Sequence, residues 1–449
     1  MKGVIIAGVS SDSGKTTLTL GILRALKNKG YAVQPFKIGP DYIDPMFHGV
    51  AAGKVSYNLD AFLVCESILK DLYFKHMQSA QVGIIEGVMG LYDGLNTTKD
   101  SFSSAHLSKI LNVPVILVVD AKGMAASASA LVLGFKQYDP DVTIAGVILN
   151  RLGSEYHYAL IKEAIERDTG IPCIGWLPRQ DEPMLESRHL GLIPVDECPE
   201  LDADLEKLAK LVEAYIDLEF IAELEQLKKH IEVEDTTSKN TVLEGCIPEL
   251  KGKKIGVFKD KAFNFYYQDN LDFLVNQGAQ LIMISPLNDA KLTSCDALYI
   301  GGGYPEVFKE HLSANQSFMS SLKTALDHGL PAYAECGGMM YLTKSIDGVE
   351  MVGFFEDNTV MTQRLVRFGY VNLQVRDLDK KSTLSTKAHE FHFSDVTQEE
   401  KLPYLFEVSR PSKPQKKWYC GRKKHNTIGS YPHIHFYSNP EIVRLLFSI

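Results

Sequence analysis

The chain has 449 residues, is 45% hydrophobic and 23% charged, and carries a net charge of −9. That length is more than one ordinary core and points to two domains, with three possible, while the composition is that of a soluble globular protein. The mildly acidic balance, with both signs mixed along the chain, argues against a general nucleic-acid binder; the longest apolar run, near Val113 to Val119, is far too short to span a bilayer.

In chain order, Val4 to Ala7 is predicted as a strand and Lys15 to Lys29 as the helix after it. Further strands are expected at Ala32 to Lys37, Val82 to Glu86, Val115 to Asp120, Ile144 to Leu149 and Cys173 to Leu177. Strands alternating with helical stretches imply a mostly parallel sheet covered on both faces. Residues 202 to 232, rich in Leu, Glu and Lys at helical spacing, read as a closing helix, and the polar stretch Glu232 to Asn240 as a linker. A second strand–helix series starts at Lys254 to Val257 and continues through Ala297 to Ile300 and Ala332 to Ala334. The expected division is therefore 1–231, a linker at 232–252, and 253–449, an α/β protein of two domains.

Gly8 to Thr17 follows a strand and opens a helix, the context a phosphate-binding loop requires. Successive backbone N–H groups and the helix N-terminus would face the anion. Gly8, Ser11, Ser13, Gly14, Lys15, Thr16 and Thr17 are the expected nucleotide contacts, with Lys15 reaching the terminal phosphates and Thr16 ligating Mg²⁺. Gly8 precedes Gly14 by six, a spacing that resembles the dethiobiotin-synthetase branch of P-loop proteins, and Asp12 stands where that branch usually has glycine. In an open parallel sheet, ligands sit beyond the carboxyl ends of the strands. Lys37, Asp41, Asp44, Glu86 and Asp93 all follow or end strands and are expected beside the nucleotide. Mg²⁺ takes oxygen ligands, so Glu86 and Asp44 join Thr16 as metal candidates. Asn150 and Arg151, after a late strand, are candidates for the nucleotide base or for a structural role.

Near the other end, Cys336 lies in Ala334-Glu335-Cys336-Gly337-Gly338 after a predicted strand. A nucleophile on a sharp strand-to-helix turn needs small residues behind it, because the helix packs close. Its thiol needs a base or a positive environment, for which His433 is the candidate. An oxyanion formed on a carboxamide needs backbone donors, and Gly302 and Gly303 of the triple-glycine run, with Gly337, could supply them. The other cysteines, scattered and without a CxxC pair, suggest neither a disulfide framework nor a zinc site and fit a reducing cytoplasm. Together, a nucleoside-triphosphate site and a thiol that attacks a carbonyl suit an enzyme that makes amides: one activates a carboxylate, the other frees ammonia from glutamine.

The stretches QPFKIGPDYIDP, NLDAF, IEGVMGLYDG, GVILNRLGS, LPRQDEP, RHLGLIP, AFNFYYQDNLDFL, GGGYPE, AECGGMMYL, HEFHFS and GSYPHIHF resemble the cobyrinate a,c-diamide synthase family along nearly the whole chain. The resemblance implies an N-terminal ATP-dependent amidoligase of dethiobiotin-synthetase-like fold and a C-terminal class I glutamine amidotransferase of flavodoxin-like fold. It implies ATP, Mg²⁺, L-glutamine and a tetrapyrrole carboxylate as reactants, with amidation of the a and c acetates of a corrin precursor in cobalamin synthesis. It makes Cys336 the glutaminase nucleophile and His433 the residue that raises its nucleophilicity. Lys37, Asp41, Asp44 and Asp93 then position the ligase chemistry or the macrocycle. Related amidotransferases carry an acid two residues after that histidine, where this chain has His435. Ammonia crossing from Cys336 to an acyl phosphate implies a sheltered path. Two alternatives stand beside this reading. One is the same diamidation of nickel-sirohydrochlorin, on the way to the nickel tetrapyrrole coenzyme of methanogenesis. The other is a P-loop switch ATPase with a non-catalytic amidotransferase-like domain; such proteins bear a second lysine early in the loop, where this chain has Val9-Ser10. No membrane or nucleic-acid partner is expected, the location is expected to be cytoplasmic, and a homodimer is left open.

Overall fold

The computed structural model describes residues 2–179, 187–188, 191–192, 195, 198–225, 247–376, 384–397 and 403–448. The chain divides into two compact units, Met1–Ala61 with Cys65–Ser238, and Phe62–Val64 with Lys239–Ile449. The proposed linker at Glu232 to Asn240 lies outside the described residues.

The first unit is built on a seven-stranded parallel sheet. Its strands are β1 (Lys2–Gly8), β2 (Val33–Ile38), β3 (Tyr57–Leu59), β4 (Val82–Gly90), β5 (Val115–Asp120), β6 (Ile144–Leu152) and β7 (Cys173–Pro178), in the order β3-β2-β4-β1-β5-β6-β7. Central strands read as unbroken apolar runs because both faces are covered; Val4, Ile5 and Ile6 are fully buried. The connecting helices are α1 (Lys15–Asn28), α2 (Asp44–Ala52), α3 (Glu66–Met77), α4 (Ser104–Leu111), α5 (Ala126–Tyr138) and α6 (Glu155–Thr169). A short antiparallel pair, β8 (Ser187–Arg188) and β9 (Gly191–Leu192), follows. Among the described residues the expected closing helix is two pieces, α7 (Leu201–Tyr215) and α8 (Leu218–Glu223), and residues 226–232 of it lie outside the described residues. The helix breaks because Ile216 turns extended at φ −125, ψ 136 and pairs with Gly175 of β7, after which Asp217 caps α8 through Phe220 N–H at 2.9 Å. Arg24 ties α1 to α7 through Asp202 at 2.6 Å and Glu206 at 2.9 Å.

The second unit has a ten-stranded sheet whose two halves differ. Strands β10 (Lys254–Phe258), β11 (Gln280–Ile284), β12 (Ala297–Ile300) and β13 (Ala332–Glu335) run parallel, joined by α9 (Gln268–Asn276), α10 (Lys309–Ala314) and α11 (Gln316–Asp327). After α12 (Gly337–Leu342), strands β14 (Ser345–Ile346), β15 (Val349–Glu350) and β16 (Thr359–Met361) enter a small four-stranded sheet. The chain then forms β17 (Arg367–Val375), β18 (Ser385–His392), β19 (Ser394–Val396, the fourth strand of that small sheet), β20 (Tyr404–Arg410), β21 (Lys413–Lys424), β22 (Thr427–Ser430) and β23 (His433–Ile434), and closes with α13 (Glu441–Leu446). The sheet order is β11-β10-β12-β13-β22-β21-β20-β17-β18-β23. The pairing of β13 with β22 is parallel and every pairing beyond β22 is antiparallel. Both units are thus α/β, as expected, with an antiparallel extension on the second. No described helix is long and apolar enough to cross a membrane.

Candidate active sites

In the first unit, the loop between β1 and α1 wraps onto the helix N-terminus. Gly14 caps α1 at φ 89, and a Cβ there would overlap Asn150 Nδ2. That amide donates to Ser13 O at 2.9 Å, so Asn150 braces the loop from the end of β6. Arg151, next along, pairs with Asp120 at 2.5 Å. Asp12 takes the left-handed conformation itself, at φ 59, as short polar side chains can. Ser11 is exposed, whereas Ser13 is buried and its Oγ makes no hydrogen bond among the described residues. Lys15 Nζ donates to Ser10 O at 3.0 Å, arching over the loop. Burial, and then the neighbouring Lys37, lower its pKa.

Beside the loop lies a buried ionic cluster. Lys37 and Glu86 are in register on β2 and β4 and share a face of the sheet. Lys37 Nζ sits 2.9 Å from Glu86 Oε1 and 2.6 Å from Asp44 Oδ2 at the start of α2. Thr16 Oγ1 donates to Glu86 Oε1 at 2.6 Å, and His48 Nε2 lies 2.6 Å from Glu86 Oε2. Burial pushes Glu86 up, yet Lys37, His48 and Thr16 outweigh it and hold the carboxyl well below its usual range. Burial also opposes the charge on Lys37, but Asp44 and Glu86 raise its pKa. Asp44 is pushed up to about 7 by burial and by Asp41 beside it. Asp41 Oδ1 accepts from Ile43 N–H and Asp44 N–H, at 2.8 and 3.0 Å, holding the turn into α2. Asp93 lies apart from this cluster: exposed, it accepts from Gly90 N–H at 3.0 Å, next to the first turn of the phosphate loop. Thr17 is half-buried within α1.

The expected set Lys15, Thr16, Lys37, Asp41, Asp44 and Glu86 therefore comes together. His48 was not foreseen; its signal was a histidine four residues after Asp44, one turn along the same helix face. The site fits Mg²⁺–ATP on two counts. Ser13 offers an unused buried hydroxyl at the loop, and the acidic pair Asp41–Asp44, with Asp44 raised toward 7, is what a hard divalent cation relieves.

In the second unit, Cys336 sits between β13 and α12 at φ 47, ψ −106, a strained elbow for a residue with a side chain. Cys336 N–H donates to Ser430 O of the neighbouring β22 at 2.7 Å, which fixes the turn. The small residues behind the nucleophile are required by contact: a Cβ on Gly338 would overlap Ile300 O at the end of β12. Gly337 and Gly303 also meet, a Cβ on Gly337 lying 3.1 Å from Gly303 N. Two of the expected oxyanion donors are thus neighbours, and the Gly337 N–H is in the first turn of α12, where no partner exists inside the helix.

His433, on β23, lies beside Cys336, which raises its pKa. Its Nδ1 lies 3.4 Å from Glu335 Oε2, with both side chains buried. Burial opposes a charge on the ring, but Cys336 and Glu335 outweigh it and push His433 up to about 10. Gly302 lies against the same ring, a Cβ there coming 2.6 Å from His433 Cε1. His435, by contrast, packs against Tyr267 and Tyr437, and burial lowers its pKa. Glu335 was not foreseen as part of this site, although it stands next to the cysteine in the sequence.

A nucleotide-binding unit and a cysteine-elbow unit on one chain define a glutamine-dependent carbon–nitrogen ligase. Residues 4–192 match the model of the CobQ/CobB/MinD/ParA nucleotide binding domain, and residues 254–441 match that of the CobB/CobQ-like glutamine amidotransferase domain. The chain is 44% identical over 454 residues to the cobyrinate a,c-diamide synthase of Listeria innocua, covering 100% of this chain and 99% of the relative. It is 47% identical over 451 residues to that of Caldanaerobacter subterraneus subsp. tengcongensis, covering 98% and 96%. For Streptococcus sanguinis the identity is 43% over 450 residues, covering 99% and 98%. The chain belongs to the cobyrinate a,c-diamide synthase family.

Proposed function

We propose that this chain amidates the a and c acetate carboxylates of cobyrinate in the cytoplasm, spending one ATP and one glutamine per amide. The observation that carries the reading is the Cys336 elbow with His433 against it, in a chain whose other unit bears a braced phosphate loop.

At the glutaminase site, Cys336 Sγ attacks the side-chain carbonyl carbon of glutamine. The oxyanion is received by the N–H groups of Gly302, Gly303 and Gly337. His433 passes its proton to the departing nitrogen, ammonia leaves, and water releases glutamate from the thioester. At the ligase site, an acetate oxygen of the macrocycle attacks the γ-phosphorus of ATP and ADP leaves. Ammonia then displaces phosphate from the acyl phosphate, forming the amide.

Gly8, Ser11, Ser13, Gly14 and Thr17 would cradle the phosphates, and Lys15 would offset charge on the transferring group. Thr16, Asp44 and Glu86 would hold Mg²⁺, which supplies charge neutralisation on the phosphates when bound. Glu86 already accepts from Thr16, Lys37 and His48; it would orient the Thr16 hydroxyl and keep Lys37 charged. Lys37, Asp41 and Asp93 would position the acetate or the ring, and Asn150 and Arg151 would support the loop and the base.

The direct test incubates the protein with ATP, Mg²⁺, glutamine and either cobyrinate or nickel-sirohydrochlorin, and weighs the products. Two amidations on cobyrinate are expected. Amidation of the nickel ring alone would overturn the corrin assignment.

A further inference from the structure

We propose that Glu335 completes the glutaminase relay as a positioning residue, holding the His433 ring so that one nitrogen faces Cys336. The inference rests on the reading of Cys336 and His433 as nucleophile and base, and supplies the acid that the sequence lacks at position 435.

Glu335 is the last residue of β13 and Cys336 the next, so the nucleophile and the acid come from consecutive residues. Strand alternation sends the Glu335 side chain to one side, and the positive-φ elbow turns Cys336 away from it. The carboxylate is only 1% exposed. It is locked in place: Oε1 accepts from Ile434 N–H at 3.1 Å, and Oε2 accepts from Tyr299 OH at 3.1 Å. The same Oε2 stands 3.4 Å from His433 Nδ1. At 3.4 Å this is a charge contact rather than a well-formed hydrogen bond, and such contacts are often long in ligand-free catalytic sites and tighten on binding. With Nδ1 facing Glu335, Nε2 is the nitrogen left for the Cys336 thiol. An acid on Nδ1 turns the ring so that Nε2 faces the thiol, and stabilises the imidazolium beside the thiolate.

His435 occupies the usual place of the acid, two residues beyond His433. Its ring is buried against Tyr267 and Tyr437 and held toward the neutral form, so it supplies no negative charge. The protein draws its carboxylate instead from the strand that carries the nucleophile.

A purely structural role for Glu335, tying the Ile434 backbone to Tyr299, predicts different behaviour. Glu335→Gln keeps the length of the side chain and an oxygen for Ile434 N–H, but loses the charge. In the full chain, glutamine hydrolysis by this variant is expected to lose at least about 100-fold in kcat, with KM changed by less than about 3-fold. Alkylation of Cys336 by iodoacetamide should slow in parallel. In a His433→Asn background the same substitution should slow Cys336 alkylation by less than about 3-fold more, because its effect passes through the ring. A kcat within about 3-fold of the parent, or a full additional loss in the His433→Asn background, overturns the proposal.

Cys336→Ala and His433→Asn test the underlying reading separately. Glutamine hydrolysis surviving in either would overturn the nucleophile–base assignment itself. If both are inactive while Glu335→Gln is not impaired, only the role of Glu335 falls. Nitrogen-labelled histidine NMR on the unsubstituted chain is independent of how any variant folds. His433 protonated on Nδ1 throughout supports the proposal, and a neutral ring protonated on Nε2 overturns it.

Discussion

Gly14 and Asp12 both occupy the left-handed backbone region of the phosphate loop, at φ 89 and φ 59. They answer to different constraints. At Gly14 the conformation is strained for any side chain and the space is taken by Asn150. Asp12 is exposed, and a carboxylate of its length tolerates the conformation at modest cost. Gly14→Ala is therefore expected to raise KM for ATP at least about 10-fold by forcing the brace apart, whereas Asp12→Gly should leave it within about 3-fold. Initial rates at varied ATP decide, and a Gly14→Ala enzyme with unchanged KM would show that the brace does not shape the loop. The residues that sequence reading overlooked, His48 and Glu335, act through partners far along the chain. His48 matters because α2 lays it on Glu86, 38 residues away. Glu335 matters because β23 returns His433 to it. The local hints, His48 four residues after Asp44 and Glu335 beside Cys336, do not by themselves separate either residue from an ordinary helix histidine or strand glutamate.

Among the elements, β18 concentrates buried titratable groups in the second unit. Burial, and then the nearby His433, hold His389 down to about 3, and burial lowers His392 to about 4. Both start from an ordinary value of 6.5. The unfolded chain therefore takes up these protons first as pH falls. The stability concerned is present above pH 6.5 and is lost as pH drops toward about 3 to 4. Glu390 between them works the other way: burial raises it from 4.5 to about 7, so its contribution is present at low pH and is lost as pH rises through that window. Two histidines against one glutamate leave a net loss on the acid side. His389→Gln is expected to recover about 2 kcal/mol of the stability lost between roughly pH 7 and pH 5, the protonation free energy of one unfolded histidine over that range. Denaturant midpoints at the two pH values measure it, and parallel curves for parent and variant would contradict it. At this scale most of the parallel strands were legible, because buried parallel strands are apolar throughout, but the three-residue β3 and the largely exposed edge strand β11 were not. Nor was the break between α7 and α8. Leu, Glu and Lys continue at helical spacing across Ile216, and only the bridge to Gly175 draws that residue out of the helix.

At the scale of the whole molecule, two chemistries on two compact units should be separable by substitution. Cys336→Ala is expected to abolish synthesis driven by glutamine, a loss of more than about 10⁴-fold, while ammonium salts still support amide formation. Lys15→Ala should remove amide formation with either nitrogen source, by at least about 10³-fold, and spare glutamine hydrolysis. Product formation with both donors, measured beside glutamate release, tests the pair. Equal loss of glutamine- and ammonia-driven synthesis in Cys336→Ala would refute the division of labour.

What the chain determines locally is the pair of turns that bear the chemistry. A glycine-bounded loop ahead of Lys15-Thr16 and a Cys-Gly-Gly elbow each depend on backbone conformations and close packing that few residues permit, so they can be read in place. What tertiary structure alone decided is which distant groups complete them: His48 and Lys37 on Glu86, and Glu335 rather than residue 435 on His433. Charge pairing in a buried site depends on distance through space, and sequence spacing carries no record of that distance once strands cross from one position in a sheet to another.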